Sequence, residues 1–418
     1  MIKLFAKSIV TKILWWQVNK LLKTNNVKVI GVVGSIGKTS TKYAVAQTLQ
    51  TKRKVRWQEG NYNDLSIVPL VFFGHDIPSL FNPIEWTRLF LNNHSQLKNY
   101  PYEIVVLELG TDGPGQIKEF GKYIKLDLAI VTAVAPEHME YFITLDSVAE
   151  EELSVMDYSK QVILNKDLVD AKYIKKHKHL ITYGTNDADY VIKNSKKLNI
   201  SKNKKTLVNA RRVLSSEIAY SKAAAAVVAD IFGFNQNEIL NAFDNLNGAP
   251  GRLQILKGLK GSTIIDDTYN SSPSAVIASL IMLYSFKAKN KIAILGSMNE
   301  LGESSKSAHE KVGLFCSSSQ LNLVVTVGDE ANKYLSSAAK KNGCEVKTFS
   351  NPYDAGEFVK SQLKPSTAIL VKGSQSNVYL EEAVKVLLAN MADSKKLVRQ
   401  SGDWQSKKQQ KLQGSIDN

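Results

Sequence analysis

The run Val29-Ile30-Gly31-Val32-Val33 passes without a polar residue into Gly34-Ser35-Ile36-Gly37-Lys38-Thr39-Ser40-Thr41, and then into a helix-patterned stretch from Lys42 to Leu49. An unbroken apolar run of this kind reads as a strand covered on both faces, the situation of a parallel sheet with helices on either side. Strand, glycine turn, Lys-Thr and helix, in that order, cradle phosphate. Backbone N–H groups and the helix N-terminus face the anion, the lysine reaches the terminal phosphates, and the next hydroxyl holds Mg²⁺. The loop departs from the strict G-x4-G-K-T spacing, because Gly31 stands one residue too far back. The elements around it still point to nucleotide binding, with ATP as the expected ligand and Gly34, Ser35, Gly37, Lys38, Thr39 and Ser40 as its contacts.

A chain of 418 residues with 44% apolar content can bury a core in each of two or three domains. Its two cysteines, Cys316 and Cys344, have neither disulfide-framework nor metal-ligand spacing, which fits a reduced, cytoplasmic setting. The formal charge of +15 favours anionic partners. No helix-turn-helix, zinc-finger or RNA-binding signature accompanies it, so nucleic acid is not an expected partner. No stretch reaches the roughly 18 apolar residues of a membrane span. Residues 1–26 nevertheless form a basic, apolar segment in which Lys3, Lys7, Lys12, Lys20 and Lys23 interrupt residues such as Ile9, Ile13, Trp15 and Trp16. Such a helix either lies peripherally at the inner face of an anionic membrane or packs on its own domain.

Further along, Glu59-Gly60-Asn61-Tyr62-Asn63-Asp64 is a polar loop whose asparagines, read alone, are turn chemistry. A second buried strand, Glu103 to Gly110, carries Glu108 to its C-terminal end, where parallel sheets bind ligands. An acid there, beside a phosphate loop, suits Mg²⁺. A third strand, Asp127 to Val134, delivers Glu137-His138-Met139-Glu140, and His138 is a candidate for metal or phosphate contact. The helix from Leu145 to Met156 holds Glu150, Glu151 and Glu152, a run that ordinarily faces solvent. Residues 193–215 read as exposed hairpins and Ser221 to Phe232 as a closely packed, alanine-rich helix. Gly248 to Arg252 is a turn presenting an arginine, and Ser262 to Asn270 is a strand ending in Asp266 and Asp267. A charged linker, Lys287 to Lys291, marks a change of unit. The organisation expected is α/β throughout: a central phosphate-loop ATPase domain over 27–288 and a smaller doubly wound, Rossmann-like domain over 289–392. Residues 393–418 lack apolar periodicity and read as a loose, disordered tail.

These pieces in this order resemble the Mur ligase family, over about residues 27 to 390. Gly34 to Ser40 resembles its phosphate loop. Gly60-Asn61-Tyr62-Asn63 resembles its Gly-Asn-x-Asn stretch, and Glu108-Leu109-Gly110 its Glu-Met-Gly. Glu137-His138-Met139-Glu140 is similar to its Ala-His-Leu-Glu, and Pro250-Gly251-Arg252 to the turn whose arginine touches ATP phosphates. Asp266-Asp267-Thr268-Tyr269-Asn270 with Pro273 resembles the run beside the nucleotide. Leu295 to Glu303 and Val371-Lys372-Gly373-Ser374 resemble two motifs of the last domain.

The resemblance implies a ligase of the acid–amino-acid type with ATP and Mg²⁺ as cofactors. A carboxylate would attack the γ-phosphate to give an acyl phosphate, and an amine would then displace phosphate to form an amide. The implied substrates are a muramyl peptide and an amine such as D-alanyl-D-alanine, in peptidoglycan precursor synthesis. Lys38 and Arg252 would neutralise the transferring phosphoryl group, while Thr39 and Glu108 would hold a first Mg²⁺ and His138 would help place a second. Asn61, Asp267 and Asn270 would lie on the nucleotide, with Asn63, Lys372 and Ser374 on substrate. Three departures from the family pattern stand out. The position fourteen residues after His138, where the family's relevant branch carries a carbamylated lysine, is Glu152, which is expected to supply that anion itself. The segment before the phosphate strand is too short for the usual domain that grips a UDP-linked substrate, so another carrier, such as a lipid, is an alternative. Ser297 and Gln375 replace an aspartate and an arginine, which leaves the amine open. Other readings are a folate-type ligase of the same family and a nucleotide-binding scaffold that does not ligate.

Overall fold

The computed structural model describes residues 2–413, apart from 59–63, 77, 79–81, 138, 175, 212, 214 and 247. The chain divides into two units, Met1–Leu246 and Asn247–Asn418.

The first unit is built on a nine-stranded sheet. Its strands are β1 (Lys28–Val33), β2 (Val55–Trp57), β3 (Ile104–Glu108), β4 (Leu126–Val131), β5 (Ser159–Asn165), β6 (Leu180–Gly184), β7 (Tyr190–Asn194), β8 (Lys197–Lys202) and β9 (Lys205–Arg211). They lie in the order β2-β3-β1-β4-β5-β6-β7-β8-β9. Strands β1 to β7 pair in parallel, and β8 and β9 complete the sheet as antiparallel neighbours. Successive residues of β1 serve opposite faces: Val29 and Val33 join one apolar core, Ile30 and Val32 the other. That two-sided burial is why the run carries no polar residue. Over the second face lie the helices Lys38–Gln50 and Ser216–Ile231, where the alanines 223–226 allow close approach and Thr41 Oγ1 meets Ser221 Oγ at 3.3 Å.

Against the first face packs the N-terminal helix, Ile2–Thr24. Trp15 stacks on Tyr123 with ring centroids 5.6 Å apart, and its indole N–H donates to the Leu65 carbonyl at 2.9 Å. Leu14, Val18 and Leu21 are completely buried, each contributing roughly 1.5–3 kcal/mol. Of the two expectations for this segment, packing on its own domain accounts for these residues. Ile9, Ile13 and Trp16 stay exposed on the outer side. Among the described residues, no helix is long and apolar enough to cross a membrane.

The second unit carries a six-stranded sheet ordered β10-β11-β15-β12-β13-β14. The strands are β10 (Gln254–Lys257), β11 (Thr263–Asp267), β12 (Asn290–Gly296), β13 (Leu323–Val327), β14 (Val346–Phe349) and β15 (Thr367–Lys372). All neighbours are parallel except the β10–β11 pair. Two expectations change here. The boundary moves from 288/289 to Leu246/Asn247, because β11 pairs with β15 from Thr263↔Ala368 to Asp267↔Lys372 and so belongs to the second sheet. The expected loose tail is instead ordered through Gln413: a short turn of helix spans Met391–Lys396 and a helix spans Gly402–Gln413. Its anchor is charge, since Lys408 is buried against Glu381 and Glu382, and so it shows no apolar stripe. Both cysteines are buried and unpaired.

Candidate active site

The phosphate loop begins where β1 ends. Gly34 has φ 125°, and a Cβ there would meet Thr132 Oγ1 at 2.4 Å and Ala133 N at 2.8 Å. Both its backbone conformation and its surroundings therefore require glycine. Thr132 holds the turn by donating to the Val33 and Ile36 carbonyls at 3.0 and 2.6 Å. Ser35 ties the loop to the chain beyond β4: its N–H donates to the Ala133 carbonyl at 3.0 Å, and its Oγ accepts from Ala135 N at 3.0 Å. Gly37, left-handed at φ 83°, starts the helix Lys38–Gln50 without a side-chain cap. A helix N-terminus that follows a glycine turn at the end of a parallel strand suits an anion.

Acidic side chains converge on this loop. Glu152 lies fully buried, and its Oε2 accepts the Gly34 N–H at 2.7 Å. Lys38 Nζ is 3.9 Å from Glu152 Oε1 and 3.4 Å from Glu137 Oε2. Burial pushes the Glu152 carboxyl well above the usual carboxylate range; the Lys38 ammonium opposes that shift, and the adjacent Glu137 carboxyl adds to it. Glu151 is buried as well and caps the short helix Gln116–Phe120 by accepting from Gly115 N and Ile117 N, both at 2.6 Å. The bland expectation of a solvated acidic face therefore fails for two of the three glutamates, while Glu150 is exposed.

At the end of β3, Glu108 is buried. Its Oε1 accepts from Thr39 Oγ1 at 3.1 Å, and its Oε2 lies 3.0 Å from Lys42 Nζ. The expected metal residues Thr39 and Glu108 are therefore together. Their oxygen donors suit a hard cation that keeps most of its ligands as water and phosphate. Glu137 Oε1 and Glu152 Oε1 are sealed from solvent with no hydrogen-bond donor among the described residues, an arrangement a cation would relieve. No group of three or more His, Cys, Asp or Glu side chains gathers at metal distance among the described residues. His138, Asn61 and Asn63 lie outside the described residues. Ser40 Oγ donates to Glu217 at 3.1 Å. A cavity of about 500 Å³ opens beside Gly110, lined by Lys7 and Thr11 of the N-terminal helix together with Asp64, Asp112 and Tyr123.

In the second unit, the guanidinium of Arg252 lies 4.0 Å from the ring centre of Tyr269. Asp267 is a hub rather than a free ligand. It accepts from Leu253 N at 3.3 Å and from Ser279 Oγ and Lys372 Nζ, both at 2.6 Å. Lys372 also donates to the Asn270 carbonyl at 3.0 Å. Ser374 is buried, and its Oγ accepts from Asn299 N at 2.9 Å. Lys372 and Asp267 thus brace the loops that carry Arg252 and Asn270, whereas Ser374 holds the loop at Asn299; in this arrangement all three side chains are bonded to protein. Neighbouring Asp266 is pushed up to about 6 by burial, against two hydrogen bonds from Thr268.

Sequence reasoning missed Lys42, Thr132 and Glu137 as site residues. Lys42 was findable, since it shares the buried helical stripe of Thr39, Val45, Ala46 and Leu49, where a lysine needs a buried anion.

Compared with known families, residues 32–227 match the Mur ligase middle domain and residues 251–375 the Mur ligase glutamate ligase domain. The chain is 26% identical over 379 residues to the UDP-N-acetylmuramoyl-tripeptide–D-alanyl-D-alanine ligase of Bacillus subtilis (strain 168), covering 86% of this chain and 76% of that one. It is 25% identical over 369 residues to the ligase of the same name from Rickettsia prowazekii (strain Madrid E), covering 84% and 76%. Among solved structures, MurF from Acinetobacter baumannii superposes with a TM-score of 0.73 at 20% identity, over 94% of this chain and 80% of that one. MurF ligase from Thermotoga maritima in complex with ADP gives 0.67 at 23% identity, over 93% and 84%. At these identities the structural likeness speaks for the fold.

Proposed function

The chain belongs to the Mur ligase family, and we propose that it uses ATP to join D-alanyl-D-alanine, or a closely similar amine, to a muramyl tripeptide in peptidoglycan synthesis. The observation that carries this reading is an intact phosphate loop, with Lys38 and the Thr39–Glu108 pair in place, in a chain that aligns over most of its length with ligases of that name. A carboxylate oxygen of the acyl substrate attacks the γ-phosphorus, the bond to the bridging oxygen breaks, and ADP leaves. The amine nitrogen then attacks the acyl carbon and phosphate departs. Lys38, with Arg252 in the same role, offsets the charge that builds on the transferring group. Thr39 and Glu108 would hold Mg²⁺, which supplies further charge neutralisation when bound, and His138 is assigned to a second ion. Glu152 supplies the anion that a carbamylated lysine provides elsewhere in the family. The cavity beside Gly110 receives the acyl substrate.

Hydroxylamine traps acyl phosphates, so the deciding experiment supplies ATP, Mg²⁺ and hydroxylamine with D-alanyl-D-alanine omitted. The muramyl tripeptide is given in UDP-linked and UDP-free forms. Substrate-dependent hydroxamate is expected, and the preferred form identifies the carrier. ATP binding without hydroxamate from either form would overturn the muramyl tripeptide reading and leave a different acid substrate or a non-ligating scaffold.

A second role follows from the N-terminal helix. Exposed Ile9, Ile13 and Trp16, with Lys20 5.2 Å from the Trp16 ring, form an apolar and basic stripe suited to peripheral contact with an anionic membrane. Salt-sensitive co-sedimentation with anionic but not zwitterionic vesicles is expected. Equal recovery in the supernatant with both would remove this role.

A further inference from the structure

Beyond Gln375, where the matched family domains end, the chain returns to the loops that present Arg252. Arg399 makes a two-point fork on Glu381: its Nε donates to Oε1 at 2.8 Å and a terminal nitrogen donates to Oε2 at 2.7 Å. The rest of the same guanidinium turns onto the loop after β11, donating to the Thr268 carbonyl at 2.6 Å and the Tyr269 carbonyl at 3.1 Å. Four hydrogen bonds in one plane need a rigid guanidinium; a lysine ammonium has three donors and no plane. Lys408 steadies the anchor from the other side, at 3.0 Å from Glu381 and 2.6 Å from Glu382. Val398 packs on the turn that carries Arg252: a Cβ on Gly251 would meet Val398 Cγ1 at 3.0 Å and Tyr269 N at 2.9 Å. Arg399 itself sits at φ 55°, a conformation uncommon for a side chain of its size and held here by the four bonds.

The consequence reaches Arg252 through Tyr269. Tyr269 N donates to the Gly251 carbonyl at 3.0 Å, and the Tyr269 ring lies beneath the Arg252 guanidinium. Arg252 Nε is shut from solvent with no hydrogen-bond acceptor among the described residues, so the stacked ring sets the guanidinium's direction.

We propose that Arg399 is a positioning residue for Arg252: it clamps the Thr268–Tyr269 backbone to Glu381, and the fixed tyrosine ring aims Arg252 at the nucleotide phosphates. This rests on the reading of Arg252 as an ATP-phosphate contact. The test compares the full chain with Arg399→Ala, Arg399→Lys, Arg252→Ala, the Arg252→Ala/Arg399→Ala double variant and Lys408→Ala. It measures hydroxamate formation against ATP concentration, and thermal midpoints. Both Arg399 variants are expected to lose at least 10-fold in kcat/KM for ATP, Arg252→Ala to lose at least as much, and the double variant to lose no more than Arg252→Ala alone. Lys408→Ala, which loosens the Glu381 anchor but keeps the Arg399 guanidinium, is expected to lower the midpoint and to cost less in kcat/KM for ATP than Arg399→Ala. Multiplicative losses in the double variant, or a fully active Arg399→Lys beside an impaired Arg252→Ala, would overturn the proposal. Unchanged ATP kinetics in Arg252→Ala would instead remove the premise about Arg252, and the proposal with it.

Discussion

Glu152→Gln is expected to lower Mg²⁺-dependent turnover roughly 100-fold, with the protein still folded, the scale seen when a group that orients a metal site is removed. The amide keeps the size of the side chain, and its oxygen can still accept the Gly34 N–H that Glu152 takes at 2.7 Å. What is lost is the capacity to carry a negative charge facing Lys38 at 3.9 Å when a cation is bound, so a loss of activity would report electrostatics and not collapse of the loop. Glu152→Lys sharpens the experiment. An ammonium there would be buried beside Lys38, a like-charge arrangement that costs desolvation and repulsion together. Carbon dioxide converts a neutral lysine amine to a carbamate, which is an anion. The Lys variant is therefore expected to be inactive in carbon-dioxide-depleted buffer and to regain part of its activity with added bicarbonate. Full activity of Glu152→Gln in the hydroxamate assay would show that the buried carboxylate only braces Gly34.

The parts of this molecule legible in its sequence are those where local pattern and long-range packing agree. Val29 to Val33 had to be a central strand because neither face has a polar residue to offer water, and Gly34 to Lys38 had to turn because each glycine meets a left-handed or crowded position. Strand β11 reads equally well as a member of either sheet. Its partner, β15, lies about a hundred residues further on, and no local pattern encodes that choice. The C-terminal helix escaped for a related reason: Lys408 and Arg399 hold it by pairing with acids on another helix, and a charged run that is buried looks like one that is solvated until its partners are known. The same ambiguity covered Glu151 and Glu152. Each is buried because backbone N–H groups from a separate loop happen to meet it.

Lys42 offers the clearest separation of folding from catalysis. Its side chain is completely buried, 3.0 Å from Glu108, and Lys42→Met keeps its length and removes its charge. Breaking a buried pair from one side typically costs about 3–5 kcal/mol, because the remaining ion is left uncompensated. A marked fall in the thermal midpoint is expected in metal-free buffer. Mg²⁺ with ATP should restore more stability to this variant than to the parent, since a cation held by Glu108 replaces the lost ammonium and binding to the folded state adds to its stability. Removing both charges, as Lys42→Met with Glu108→Gln, should recover most of the midpoint, because the desolvation penalty goes with the pair. That double variant should still lack Mg²⁺-dependent turnover. A Lys42→Met midpoint equal to the parent's would mean that the Lys42–Glu108 pair contributes nothing to folding, and would remove the expectation that Mg²⁺ at Glu108 takes the place of the ammonium.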